Sequence, residues 1–425
     1  MEDEARPSKK VRRTAGSGLT PFALRLAKQL SDGVGSGNNL VFSPLSIYRA
    51  LALVAAGAGG ETLDEFLALL GAASRDELAE FARGMPAASA LADDDRSGSS
   101  GGPIVAFTCG VWYQNTVALK PAYRDAAVES YKAKMRAANF LEKAEKVRKE
   151  INKWVSKATN ELITSILPKG SVHSETVLVL ANAIYFKGTW STPFVKERTV
   201  DKEFHRLDGS CVRAPFMHST EDQFIKEHDG FKVLKLPYRN SSASAWYDVD
   251  DDWGYEQQSD ERPRFSMCIF LPDARDGLPG LVDKMASSSC SFQLRGRHLP
   301  TRRVKVGKFW LPKFKLSYSS QMNEVLKAMG LEAVFSPHEA DLSNMVEDDD
   351  ELYMDHVFHK AVDKVDEEGT EAEASTACTI RKVALHWSPV TMDFIADHPF
   401  VFLVVEEASG AVVFMGQVLD PTRSE

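Results

Sequence analysis

Residues 365–399 constrain the fold more than any other stretch, because they read as two different structures at once. The first half is small and polar, with almost no bulky apolar side chain. Such a segment cannot anchor itself in a core, which predicts a surface loop. From Thr370 to Thr376, however, it alternates like a strand. Thr370, Ala372, Ala374 and Thr376 fall on one face, and Glu371, Glu373 and Ser375 on the other. Small neutral residues at every second position can slip under a packed layer while their polar neighbours stay in water. Gly369, just before them, is suited to a hinge, since a residue without a side chain tolerates large backbone changes.

The rest of the chain supplies the elements of a large core. Phe22, Leu24, Leu26 and Leu30 lie among polar residues behind Pro21, which suits a first helical turn. Pro44 opens a second helix so apolar that it must be buried, and Gly57, Gly59 and Gly60 follow it. Val147, Ile151, Trp154, Val155 and Leu162 predict an amphipathic helix over residues 143–163. Residues 177–190 form a nearly continuous apolar run, which predicts a strand buried on both faces. Residues 233–237 and 265–272 read as two strands, with a Ser-, Asp- and Gln-rich inserted loop at 240–263 between them. Residues 301–316 read as another strand pair, and residues 397–402 and 412–421 as two terminal strands. Residues 93–103 read as a flexible loop by composition.

Composition excludes several classes of function. With 51 basic against 60 acidic residues, the net charge of −9 disfavours a nucleic-acid partner. The basic residues Arg295, Arg297, Arg302, Arg303, Lys305 and Lys308 read as a solvated face rather than a polyanion site. No apolar run is long enough to span a bilayer. The charged start carries no apolar core and is not a secretory signal peptide, which predicts a cytoplasmic protein. Lys9, Lys10, Arg12 and Arg13 form a short cluster of the nuclear-localisation type within a tail, residues 1–14, that otherwise reads as merely solvated. Asn240 begins a glycosylation sequon, whose use the lack of a signal peptide argues against. Five cysteines, odd in number and widely spaced, argue against a disulfide framework or a metal cluster. No nucleophile-elbow, zincin, P-loop or dinucleotide motif is present. Ser43 and His359 make a poor hydrolase pair, because Ser43 precedes Pro44 at a helix start, where capping is the ordinary role.

Several of these stretches together resemble the serpin family. Glu367-Glu368-Gly369-Thr370-Glu371-Ala372 is similar to its hinge motif, and Asn182-Ala183-Ile184-Tyr185-Phe186-Lys187-Gly188-x-Trp190 to another of its motifs. Ile151-Asn152-x-Trp154-Val155 resembles the helix that covers the front of the main sheet. The form Asp393-Phe394-x-Ala396-Asp397-His398-Pro399-Phe400 looks most like the plant branch, the serpin-Z type. The resemblance covers residues 15–425 as one domain. It implies an α+β fold with three β-sheets, a large central one among them, about nine helices and an exposed reactive-centre loop at about 367–396.

It also implies a protease inhibitor rather than an enzyme: a suicide substrate whose cleaved loop inserts into the main sheet and traps a serine-type or cysteine-type endopeptidase as a covalent acyl complex. No cofactor, metal or catalytic residue is needed, and the protein acts as a monomer, with no membrane or nucleic-acid partner. Its relatives leave extracellular, apoplastic release open. The implied hinge is Glu368, Gly369, Thr370, Glu371, Ala372, Glu373 and Ala374. The implied shutter cluster is Ser43, Ser46, Asn182 and His359, and Trp190 marks the breach at the top of the sheet. Distance from the hinge glycine places the reactive bond at Val383–Ala384, with Arg381, Lys382 and His386 open as alternatives. Glu373 stands where the family has alanine. If it faced inward, the alternative would be a non-inhibitory serpin that serves in binding or storage.

Overall fold

The structure is a computed structural model, and it describes residues 18–33, 37–84, 103–240, 263–287, 298–347, 352–370 and 391–424. The tail, most of the 93–103 and 240–263 loops, and the hinge and bait positions from Glu371 to His386 lie outside the described residues. Three sheets are present, as the resemblance implies.

One is antiparallel, in the order β1 (Leu40–Phe42), β16 (Val412–Val418), β15 (Phe400–Glu406), β9 (Phe265–Pro272), β8 (Phe231–Pro237) and β7 (Phe224–His228). Every residue of β9 and β16 is buried. Their sequences are apolar without alternation because both faces are covered.

The main sheet runs β11 (Phe314–Gln321), β12 (Phe358–Val365), β13 (Gly369–Thr370), β4 (Leu178–Thr189), β2 (Ile104–Gln114) and β3 (Lys134–Ala138). The small sheet runs β14 (Met392–Ile395), β10 (Val306–Pro312), β6 (Cys211–Met217) and β5 (Val200–His205), with β14 parallel to β10.

Eight α-helices surround these sheets among the described residues: α1 (Leu19–Asp32), α2 (Pro44–Ala55), α3 (Gly60–Leu70), α4 (Arg75–Gly84), α5 (Pro121–Glu129), α6 (Phe140–Ala158), α7 (Leu278–Ser287) and α8 (Asn323–Ala328). In α1, Phe22, Leu26 and Leu30 recur at helical spacing on the buried face. In α2 the Ser43 side chain caps the Ser46 N–H and Pro44 fills the first turn. This helix packs on β16 and β4, between two sheets, which is why it is apolar nearly all round.

Two expectations need correction. The front helix, Phe140–Ala158, is kinked at Lys143, whose backbone is non-helical (φ −132°, ψ 30°), so its continuous part begins where expected but ends at Ala158 rather than 163. It starts where Asn139 caps the Glu142 N–H and stops before Asn160 and Glu161, which take left-handed φ values of 47° and 64°. Second, β4 is not buried on both faces along its length, for Leu178, Val179 and Leu180 are half-buried. Among the described residues, β4 pairs with β2 along its length but with β13 only at Gly188 and Thr189. Among the described residues β12 and β4 are joined only through the short β13, and neither pairs with the other directly.

Helix α6 lies over β2 and β4, burying Phe140, Val147, Ile151 and Val155. Trp154 meets Trp112 edge-on at 4.9 Å. Gly110 makes this approach possible, since a Cβ there would stand 2.4 Å from the Trp112 ring and 3.0 Å from Trp154. Gly110→Ala therefore overpacks two rigid rings and is expected to cost about 1–3 kcal/mol, read as an earlier denaturant midpoint. A midpoint equal to that of the parent would show that the rings have room to move.

Candidate functional site

The site is built where β12 turns back into β13. Beyond Val365 the chain carries three carboxylates in a row, and each finds a lysine. Asp366 pairs with Lys364 at 3.1 Å, Glu367 with Lys313 at 2.8 Å, and Glu368 with Lys196. Glu367 is buried and also accepts a hydrogen bond from the Thr199 hydroxyl at 2.7 Å. Burial opposes its ionisation, but Lys313 and Thr199 outweigh that and hold its carboxyl below the ordinary value. The backbone is satisfied as well. The Trp190 N–H donates to the Glu368 carbonyl, the Phe194 N–H to the Glu367 carbonyl, and the Trp190 indole N–H to the Asp366 carbonyl, at 2.8, 2.8 and 2.9 Å.

Gly369 and Thr370 then pair with Thr189 and Gly188 of β4, while Thr370 also pairs with Val365 of β12. A Cβ on Gly369 would stand 2.0 Å from the Gly188 carbonyl oxygen, and its φ is 155°. Glycine is required here by a close backbone approach as well as by conformation. Thr370 is buried, and its hydroxyl is 2.7 Å from the Tyr238 hydroxyl. Tyr238 in turn stacks on the buried Trp190 at 4.7 Å.

The expectation that the stretch from 365 onward is surface loop is therefore corrected at both described ends. Residues 365–370 lie in the main sheet, because tertiary partners satisfy their backbone and their charges. Residues 392–395 form β14 in the small sheet.

The predicted shutter residues do come together, as a chain of contacts. The Ser43 N–H donates to His359 Nε2 at 3.1 Å, the Ser43 hydroxyl donates to the Val413 carbonyl at 2.7 Å, and Asn182 donates to the Ser46 carbonyl at 2.7 Å. The buried Asn182 Oδ1 has no hydrogen-bond partner among the described residues. Ser43 offers His359 its backbone rather than its hydroxyl, so the pair is not arranged as nucleophile and base. Burial pushes the pKa of His359 down to about 4, and the neutral ring accepts at Nε2.

Sequence reasoning missed Lys313, Thr199, Lys196 and Tyr238. These are single residues far along the chain with no periodic signal, and only the crowding of carboxylates at 366–368 hinted that cations would be needed.

Two measurements check this geometry. Tyr238→Phe removes the hydroxyl partner of Thr370, worth about 1 kcal/mol, and should speed amide exchange of Gly369 and Thr370 about fivefold; unchanged exchange would mean that the hydroxyl pair does not hold the hinge. For His359, the unfolded chain (ordinary value 6.5) binds a proton between pH 6.5 and 4 that the native state refuses. Its contribution to stability is full above that window and falls as pH drops through it, by at most about 3 kcal/mol. His359→Gln should flatten that part of the pH–stability profile, and an unaltered profile would assign the loss to other groups.

The comparisons agree with this geometry. A family model described as Serpin (serine protease inhibitor) matches residues 17–421. Serpin-Z2A of rice (Oryza sativa subsp. japonica) is 57% identical over 420 residues, 96% of this chain and 97% of its own length. Serpin-Z2B of the same plant is 55% identical over 415 residues, 96% of this chain and 98% of its own. Among solved structures, Arabidopsis AtSerpin1 in its native stressed conformation is 38% identical, covers 96% of this chain and 98% of its own, and superposes with a TM-score of 0.81. Uncleaved ovalbumin, at 24% identity and a TM-score of 0.74, shares the fold. With a family model and close relatives spanning nearly its whole length, this chain belongs to the serpin family, in its plant serpin-Z group.

Proposed function

We propose that this serpin inhibits serine-type endopeptidases, with cysteine-type enzymes as a second target class, by acting as a suicide substrate. The observation that carries the reading is β13, a two-residue strand already seated between β12 and β4 with Thr370 facing inward.

Extending its register predicts where the following residues would arrive. Ala372 would lie between Asp363 and Phe186, Ala374 between Ala361 and Ile184, and Thr376 between His359 and Asn182. Each of these neighbours except Asn182 is a buried residue of β12 or β4, and Asn182 is half-buried. The small neutral residues therefore meet the covered face. Glu371 and Glu373 fall on the opposite face, where Glu371 would stand between Lys364 and Lys187. This register supports insertion despite the glutamate at 373.

In the proposed reaction the protease nucleophile attacks the carbonyl carbon of Val383, and the amine of Ala384 leaves with a proton, giving an acyl-enzyme. The freed strand then extends β13 down the main sheet and gains backbone hydrogen bonds on both sides. The protease travels with it and is trapped before water can release it. The driving energy is that of a metastable native fold. The chain supplies no catalytic residue, needs no cofactor and acts as a monomer on its protease.

Incubation with a panel of serine and cysteine proteases tests this directly. Expected are covalent complexes on denaturing gels, a cut mapped by mass spectrometry to Val383–Ala384, and a greatly raised melting temperature after cleavage. Cutting after Arg381, Lys382 or His386 would move the bait. Clean cleavage with neither complex nor stabilisation would favour a binding or storage role instead. Thr370→Arg puts a charge on the inward face and should turn inhibitor into substrate, whereas undiminished trapping would overturn the register.

A further inference from the structure

We propose that Glu203, His205 and Cys211 form a binding site for a thiophilic divalent cation of the zinc class, on the outer face of the small sheet. The site follows from strand geometry. Strands β5 and β6 form a hairpin in which His205 is paired directly with Cys211. Its turn is closed by the Arg206 N–H on the Ser210 carbonyl at 2.8 Å, and Asp208 Oδ1 accepts from the Ser210 N–H at 2.8 Å and from its hydroxyl at 2.6 Å. Phe204 is fully buried, so alternation turns its neighbours Glu203 and His205 outward, together with Cys211. The result places one carboxylate oxygen, one imidazole nitrogen and one sulfur within 4.8 Å of one another.

Three details fit a cation better than a chance cluster. Cys211 Sγ lies 3.1 Å from His205 Nδ1. Zinc ligands at about 2.3 Å (S) and 2.05 Å (N) and a tetrahedral angle stand about 3.6 Å apart, so a small opening of the pair admits the ion. The other ring nitrogen, Nε2, faces Asp397 Oδ2 at 3.8 Å, and the His205 N–H donates to the Asp397 carbonyl at 2.7 Å. At that distance Asp397 does not hydrogen-bond the ring, but its negative charge favours the ring proton on Nε2, which leaves Nδ1 to ligate. Asp397 is itself held by His398 at 2.8 Å and Arg275 at 3.4 Å. Finally, Glu203 has no ion-pair partner among the described residues, although Arg213 is its cross-strand neighbour.

Sulfur and imidazole donors select zinc-like ions over calcium or magnesium. Binding ionises the Cys211 thiol and releases its proton to solvent. A fourth position stays open to water. Cysteine spacing does not reveal such a site, because only one ligand is a cysteine; the signal is Glu-x-His on one strand and Cys opposite it across a turn.

The test uses the full chain. Calorimetry with zinc should show one bound equivalent, cobalt should give the absorption of a tetrahedral thiolate complex, and zinc should protect Cys211 from iodoacetamide in peptide mass spectra. Cys211→Ser and His205→Gln should weaken zinc binding at least tenfold, and Asp397→Asn about tenfold. Zinc binding that is unchanged in Cys211→Ser and His205→Gln, or alkylation of Cys211 at the same rate with and without zinc, would overturn the proposal.

Discussion

Among the described residues, the structure turns on a backbone pairing completed only at Gly369 and Thr370. Strands β12 and β4 each carry a ladder of N–H and C=O groups, and along most of their length the described residues give them no partner on the facing edge. Unpaired strand edges attract any extended chain of the right length. Here the nearest chain is the protein's own, already paired at Gly369 and Thr370. The lysine–carboxylate pairs, the Trp190 and Phe194 N–H groups and the Tyr238 hydroxyl hold those two residues and the turn before them in place.

The polar groups beneath the sheet fit that description. Ser43, Ser46, Asn182 and His359 link α2 and β16 to the two strands that flank the opening. Buried polar groups ordinarily find partners, yet Asn182 Oδ1 has none among the described residues. In the register proposed above, the hydroxyl of Thr376 would arrive beside it. On that reading the inserted strand would supply the partner that this acceptor lacks among the described residues.

Much of this was legible in the sequence. Strands β8 and β9 were visible because their apolar runs end at prolines, and α1 because its leucines recur at helical spacing. Of the alternation from Thr370 onward, only Thr370 lies among the described residues, and it is buried, on the face the alternation assigns inward. What escaped was tertiary. The end of α6 is set by two left-handed residues, of which Asn160 has a matching propensity and Glu161 has none. The burial of Glu367 depends on Lys313 and Thr199, which the chain brings together only after folding. A run of acidic residues reads as solvent-exposed until its cations are known.

The two described ends of the reactive stretch belong to different sheets. Its start is stitched into the main sheet, and its finish is the four-residue strand β14, held parallel to β10 in the small sheet. Under the proposed mechanism, an uncut chain would be moored at both ends, and cleavage would be what frees it to advance. The barrier is one of connectivity rather than of energy. On that reading the parallel β14–β10 pair, reinforced by the Lys308 N–H on Asp393 Oδ1, is the far mooring of the intact chain.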